Sequence, residues 1–266
     1  MQNASAVPRS LPLVIALVTA GGGLARADRL VEARQVASGD YLAPQFSPDG
    51  HELLVTGPKL RGLFVSSLAG QLEQLTDEAE AGVHAHWLAD GRIAYRAHRA
   101  GTRRDLVMTR DHRVTAIAAA VAPVAFTQDD HMYVVDRTNH PVRIGSGDRF
   151  FGAVVAPDGD KVAFQGLATG LYVYTRSTGA LRYIGPGTAP AWAPDSARLA
   201  FEVTEDDGHA IVASDLFVYE VAHDRVEAIT ATDRVIERRP SFSPDGTRIA
   251  FDDNTGGIFV GRLEVR

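Results

Sequence analysis

The chain contains no cysteine among its 266 residues, which excludes disulfides, thiolate metal sites, a cysteine nucleophile and a lipid-modified cysteine. It also lacks a strong charge of either sign. The formal −6 at pH 7 is spread along the sequence, too mild for a nucleic-acid patch or a polybasic membrane surface. Long apolar runs are missing too, since the stretch Leu11 to Ala20 falls far short of the ~20 residues that span a bilayer. A chain without covalent staples must gain its stability from a large core, and 45% apolar residues can supply one.

The first 27 residues differ from the rest. Arg9 precedes the apolar run, and Gly21 to Gly23 and Ala25-Arg26-Ala27 follow it. This is the pattern of a secretory signal peptide, with cleavage expected before Asp28. Loss of Arg9 and Arg26 would take the charge from −6 to −8. The expected destination is the periplasm, with an extracellular location as the alternative, and the mature chain is expected to be a monomer without a membrane span.

Residues 28 to 266 are organised by repetition, which has to be sought before single elements are assigned. One ladder holds an aliphatic residue, usually alanine, then an aromatic: Ile93-Ala94-Tyr95, Val124-Ala125-Phe126, Val162-Ala163-Phe164, Leu199-Ala200-Phe201 and Ile249-Ala250-Phe251, with Leu53-Leu54-Val55 as a looser copy. A second ladder follows each: Leu63-Phe64-Val65, Leu106-Val107-Met108, Met132-Tyr133-Val134, Leu171-Tyr172-Val173, Leu216-Phe217-Val218 and Ile258-Phe259-Val260. Short runs of β-branched and aromatic residues between turn formers read as buried strands.

A turn signature precedes most copies of the first ladder: Ser47-Pro48-Asp49-Gly50, Ala89-Asp90-Gly91, Ala156-Pro157-Asp158-Gly159, Ala193-Pro194-Asp195-Ser196 and Ser243-Pro244-Asp245-Gly246. Proline presets φ, aspartate caps backbone amides and glycine accepts the left-handed conformation, so each joins a hairpin and its aspartate is structural. An inner strand therefore ends at Phe46, Trp87, Val155, Trp192 or Phe242. The third unit has no such turn, and Ala118 to Pro123 must serve as both inner strand and turn. Outer strands follow the second ladder, as at Leu72 to Thr76 and Val226 to Thr230. The sixth unit has none after it, while Leu30 to Ala33 resembles Arg225 to Ala228 and is expected to supply that strand.

The pattern specifies an all-β fold, a six-bladed β-propeller of four-stranded antiparallel blades, its ring closed by an N-terminal strand. An open solenoid would need capping repeats and would not pair its termini. The domain organisation is then a signal peptide over 1–27 and one propeller over 28–266. Glu202 to Asp215, an acidic insertion in the fifth blade, is expected to extend a hairpin or form a surface loop, and Glu205-Asp206-Asp207 reads as solvated surface.

The run Phe242 to Phe251, Phe-Ser-Pro-Asp-Gly-x-x-Ile-Ala-Phe, resembles the repeat of the TolB family of propellers and of prolyl-oligopeptidase-type peptidases. The TolB resemblance implies a periplasmic propeller that holds a protein or peptide, with a peptidoglycan-associated lipoprotein as the partner it suggests. Only about fifteen residues separate the expected cleavage site from the first inner strand, which leaves no room for the α/β domain of that family. The peptidases add a hydrolase domain with a Gly-x-Ser-x-Gly elbow, and this sequence has no such elbow.

Counted back from the ends of the inner strands, Tyr41, His84, Phe150, Phe151, Arg238 and Arg239 fall at comparable positions near the channel entrance. Aromatics and arginines anchor protein interfaces, so these residues, with His86, are the candidates for partner binding. His84 and His86 flank Ala85 on one predicted strand and share a face, which could begin a metal site. Spacing assigns no third ligand, so no metal, cofactor or catalytic residue is expected. The leading expectation is a non-enzymatic envelope scaffold for a protein or peptide, with no nucleic acid. The alternative is a metal-assisted carbohydrate lyase or hydrolase with its site in the channel.

Overall fold

The computed structural model describes residues 28–82, 85–99, 101–117, 124–136, 138–232 and 235–265. Strand β1 (Arg29–Ala37) stands apart from the strands that follow it. Blade 1 holds β2 (Leu42–Phe46), β3 (Glu52–Thr56), β4 (Arg61–Ser67) and β5 (Leu72–Ala79), and blade 2 holds β6 (His86–Trp87), β7 (Ile93–Arg99), β8 (Thr102–Met108) and β9 (Val114–Ala116). Blade 3 shows β10 (Ala125–Gln128), β11 (His131–Val135) and β12 (Pro141–Ile144). Blade 4 runs through β13 (Phe150–Val155), β14 (Lys161–Gly166), β15 (Gly170–Thr175) and β16 (Ala180–Gly185). Blade 5 runs through β17 (Thr188–Trp192), β18 (Arg198–Asp206), β19 (Ile211–Glu220) and β20 (Arg225–Ala228). Blade 6 has β21 (Arg238–Phe242), β22 (Arg248–Asp252) and β23 (Ile258–Glu264).

Each blade is a separate antiparallel sheet in chain order, except that β1 pairs with β23 and completes the sixth blade. The chain is thus a six-bladed β-propeller closed by its N-terminal strand, as the displaced Leu30 to Ala33 copy implied. Among the described residues blade 3 has three strands. Ala118 to Pro123, where its inner strand was expected, lie outside the described residues.

The two ladders become cross-strand partners. Phe164 faces Tyr172, Phe201 faces Phe217 and Phe251 faces Phe259, each pair stacked with ring centroids 5.4–5.8 Å apart. Such directly opposed aromatic pairs are a main source of sheet stability. The opposite face of each blade packs on its neighbour, so the core is divided among clusters that bridge successive blades. One joins Leu54, Leu63 and Leu75 of blade 1 to Ile93, Tyr95 and Leu106 of blade 2. Another joins Val36, Ile258 and Val260 of blade 6 to Phe46 and Leu53 of blade 1.

The Pro-Asp-Gly signatures form the expected turns. Gly50 N–H donates to Ser47 O at 2.9 Å, and the Asp49 carboxylate accepts from Ser47 Oγ at 2.6 Å and from His51 N–H at 3.1 Å. Ser196, in the place of glycine, keeps the left-handed conformation at φ 57°. Its hydroxyl accepts the Asp158 amide of blade 4 at 2.9 Å, a contact that glycine could not make. The insertion in blade 5 is an extended hairpin: β18 and β19 stay paired out to Asp206 and Ile211, and Asp207 takes the His209 and Ala210 amides at its tip.

The same junction contacts recur around the ring. Arg198 of blade 5 donates to Gly246 O and stands 5.6 Å over the Phe242 ring of blade 6. Arg248 of blade 6 repeats this on blade 1, reaching Gly50 O at 3.1 Å and the Phe46 ring at 5.1 Å. Closure is therefore sealed by the same contacts that join neighbouring blades. Leu30 on β1 is buried in the cluster between blades 5 and 6. Replacing it with alanine should cost about 2–4 kcal/mol in urea unfolding, whereas Leu181→Ala on the exposed outer strand β16 should cost less than about 0.5 kcal/mol.

Candidate active site

Several inner strands break their pairing at one equivalent place. The register shifts between Leu42 and Gln45, between Phe151 and Val154, between Thr188 and Ala191, and between Arg238 and Ser241. Within these shifts Ala43, Gly152, Ala189 and Arg239 have φ of 50° to 66°. A bulge of this kind re-aims its backbone and leaves an amide outside the ladder, and a buried amide needs an acceptor.

The acceptor comes from the preceding blade, from the residue that follows the first ladder. Gln165 takes the Ala189 amide at 3.2 Å, Glu202 takes the Arg239 amide at 2.5 Å, and Asp252 takes the Ala43 amide at 2.9 Å. Two of these acceptors are carboxylates with almost no exposure, 1% for Glu202 and none for Asp252. A buried carboxylate must be paired and hydrogen-bonded to be tolerated, and the inner strand of blade 6 meets that demand. Arg238 donates to Glu202 Oε1 through Nε at 3.2 Å and Nη2 at 3.0 Å, and Thr188 Oγ1 donates to the same oxygen at 3.0 Å. Arg239 spans both oxygens of Asp252, its Nε lying 2.8 Å from Oδ1. Burial pushes the Asp252 carboxyl above its usual range against the pull of this guanidinium. Burial also works against the Arg239 charge, but the Asp252 carboxylate outweighs it and holds that group above its usual value.

Each guanidinium has five N–H groups, and the named contacts use two of them on each arginine. The arginine side chains remain 29% exposed. They form part of the wall of a cavity of about 350 Å³ whose lining includes Asp40, Leu42, Ile211, Ile236 and Asn254. Asp253 also lines it, but its carboxylate is occupied by Thr255 and the Gly257 amide. The tip of the blade 5 hairpin reaches the cavity through Ile211. The result is a wall in which two cations are balanced by two buried anions, with Asp40 on the same cavity. Such a wall suits an oxygen-rich neutral ligand or one that gains negative charge during reaction.

A further buried carboxyl lies beside it. Glu237, 3% exposed, is tied to β19 by its amide on Ser214 O at 3.1 Å and by Ser214 Oγ on its carbonyl at 2.6 Å. Thr230 Oγ1 stands 3.0 Å from Glu237 Oε2 and 3.5 Å from Asp215 Oδ1, and Thr232 Oγ1 stands 3.1 Å from Glu237 Oε1 and 3.0 Å from Val235 O. Two hydroxyl hydrogens face four acceptors, and a proton on Glu237 relieves the deficit. Burial raises this carboxyl most, the threonine hydroxyls oppose that, and Asp215 adds to it, leaving Glu237 pushed up to about 7.

The sequence candidates are dispersed by the fold. Arg238 and Arg239 meet at the cavity. Tyr41 packs edge-on against Phe64 at 5.2 Å, beside the core between blades 6 and 1. Phe150 is a core residue, 3% exposed and edge-on to Phe164 and Tyr172, so its ring is not presented to a ligand. Phe151, the next residue, is 41% exposed. His86 is exposed on β6, and His84 lies outside the described residues. Among the described residues no three His, Asp or Glu side chains are grouped to hold a metal ion. Sequence reasoning missed Glu202, Asp252, Asp40 and Glu237. The first two had a readable signal, because the residue after the first ladder is polar in all six units: Thr56, Arg96, Thr127, Gln165, Glu202 and Asp252.

No family model matches the chain. Among solved structures it is similar to a gluconolactonase from Xanthomonas campestris, described as important in glucose secondary metabolic pathways, with 13% identity, TM-score 0.55, and coverage of 89% of this chain and 91% of that one. It also matches an oligogalacturonate lyase in complex with manganese, at 13% identity and TM-score 0.45 over 85% and 90% of the two chains. A third match is the tricorn protease, at 12% identity and TM-score 0.39 over 80% of this chain and 28% of that one. The likeness to the gluconolactonase is one of fold. It nonetheless corrects the expectation of a non-enzymatic scaffold, since a propeller of matching extent is an enzyme. No helix among the described residues is long and apolar enough to cross a membrane.

Because Glu237 binds its proton more tightly in the folded chain than in the unfolded one, wild-type stability should fall as pH rises from about 4.5 to about 7. Glu237→Gln, which keeps the shape of the protonated acid, should match the wild type at pH 5 and exceed it at pH 8 by on the order of 3 kcal/mol. Urea unfolding at the two pH values measures the difference.

Proposed function

We propose that this chain is a propeller enzyme that hydrolyses a lactone or ester of a carbohydrate derivative in the cavity between blades 5, 6 and 1. The observation that carries the reading is the pair Arg238 and Arg239, held by the buried carboxylates of Glu202 and Asp252 on the wall of the cavity that Asp40 also lines. The gluconolactonase of like fold supports the choice of a lactone as substrate.

Hydrolysis begins from a neutral substrate and develops an oxyanion, so donors balanced by buried anions favour the transition state over the ground state. The lactone carbonyl oxygen lies against a guanidinium. Asp40 takes a proton from water as the water oxygen bonds to the carbonyl carbon. The tetrahedral intermediate then expels the ring oxygen, which leaves as a hydroxyl with the proton from Asp40, and the product is a hydroxy acid. Its new carboxylate faces the arginines. The leader-like residues 1–27 support export, which would place the substrate in the periplasm.

Proton release from gluconolactone, corrected for spontaneous hydrolysis, tests the reading. The wild type should accelerate release, and Asp40→Asn and Arg239→Lys should each lower kcat/KM by about 100-fold while retaining the folded circular dichroism spectrum. Arg239→Lys keeps the charge beside Asp252 and removes the fork. Equal rates in wild type and both variants would overturn the assignment.

A further inference from the structure

The channel holds a second, larger space on the other side of Arg239. This chamber of about 830 Å³ is lined by inner-strand and turn residues of blades 1, 2, 4, 5 and 6, and Arg239 belongs to its wall as well as to that of the smaller cavity. Its size is that of a small-molecule site.

Several donors along the walls are already paired. Pro44, Pro190 and Pro240 follow the three non-glycine bulges and have no N–H. The bulge amides themselves are held by Asp252, Gln165 and Glu202. Trp87 Nε1 donates to Gln45 O at 3.3 Å, Trp192 Nε1 donates to Val154 O at 3.0 Å, and Gln45 Nε2 donates to Ala85 O at 2.8 Å. Ser47 and Ser243 hydroxyls serve their turn aspartates. Most of the residues that line the chamber are alanine, proline, valine, leucine, phenylalanine and tryptophan, and Arg239 is the one charged residue among the described residues of its lining.

We propose that this chamber is a subsite for an aryl or alkyl group, on a ligand whose oxygen-bearing end lies against Arg239. Where that ligand is the substrate, the inference rests on the proposed hydrolysis and narrows it to lactones or esters carrying an apolar substituent. A wall rich in proline and hydrocarbon side chains gains from burying hydrocarbon. A bare sugar has little hydrocarbon to bury there and should bind the chamber weakly.

Both tryptophans of the chain line the chamber, so tryptophan emission reports on it directly. The probe is 8-anilinonaphthalene-1-sulfonate, an aromatic body with an anionic end that undergoes no hydrolysis. Its titration should quench tryptophan emission saturably at one site per chain. Ala191→Leu and Ser241→Leu, each filling the chamber from a different blade, should weaken binding about tenfold or more. Leu167→Ala, on an exposed surface residue, should leave it unchanged. On the wild type, 4-phenylbutyrate should displace the probe and glucose, which has no anionic end for Arg239, should not. Absence of saturable quenching, undiminished binding in a folded chamber-filling variant, or displacement by glucose as effective as by phenylbutyrate would overturn the proposal. Because the probe is not turned over, saturable binding without lactone hydrolysis would sink the proposed reaction and leave the subsite standing, and the converse result would do the reverse.

Discussion

A carboxylate removed from water must have its oxygens satisfied, and in this propeller that demand falls at the junctions between blades. Glu202 and Asp252 each follow the aromatic residue of the second strand of one blade and accept the bulge amide of the next. Without them the bulge amides at Arg239 and Ala43 would be buried donors with no acceptor, at a cost of about 1–3 kcal/mol each. Without the arginines the carboxylates would be buried unpaired charges, which is more expensive still. The ring and the candidate active site are thus held by the same groups.

This sharing explains why a repeat protein can carry chemistry in one sector only. The clamp forms at three junctions, and it needs an acceptor there but does not specify which. Gln165 makes it with a neutral amide, and an amide requires no cation nearby. Glu202 and Asp252 make it with charge, and the cations they call in become the donor wall of the cavity. The bulge places Arg239 on the walls of two spaces, a smaller cavity with Asp40 and a larger chamber whose lining includes Pro44, Pro190 and Pro240. Glu237 on the adjoining connector stays protonated into the neutral range, so no further negative charge is added beside Asp215 below that pH.

The ring was legible in the sequence because hydrophobic ladders recur at a fixed period, and six copies of each leave little freedom in blade number or register. Phe251 against Phe259 follows from the two ladders alone. The closing strand was legible for the same reason, as a displaced copy. The inner strands were less so. Counting back from their ends reached Arg238 and Arg239, but a one-residue bulge changes which side chain faces the channel, and Phe150 turned into the core while Phe151 faced out. Glu202 and Asp252 were hidden because their column varies between threonine, arginine, glutamine and acid, and only the bulge amides reveal what it does. Asp40 sits on a loop that no periodicity constrains. The repeat described the blades well, and the scaffold role inferred from its TolB resemblance did not survive comparison with a propeller enzyme of the same extent.

The most direct test is a crystal structure of the chain soaked with gluconate, the hydroxy acid that hydrolysis of gluconolactone would release. The account predicts one molecule in the smaller cavity, its carboxylate against Arg238 and Arg239 and its hydroxyls toward Asp40 and Asn254, with the Glu202 and Asp252 pairs unbroken. Gluconate bound elsewhere on the propeller, or a cavity that stays empty at saturating concentration, would contradict it.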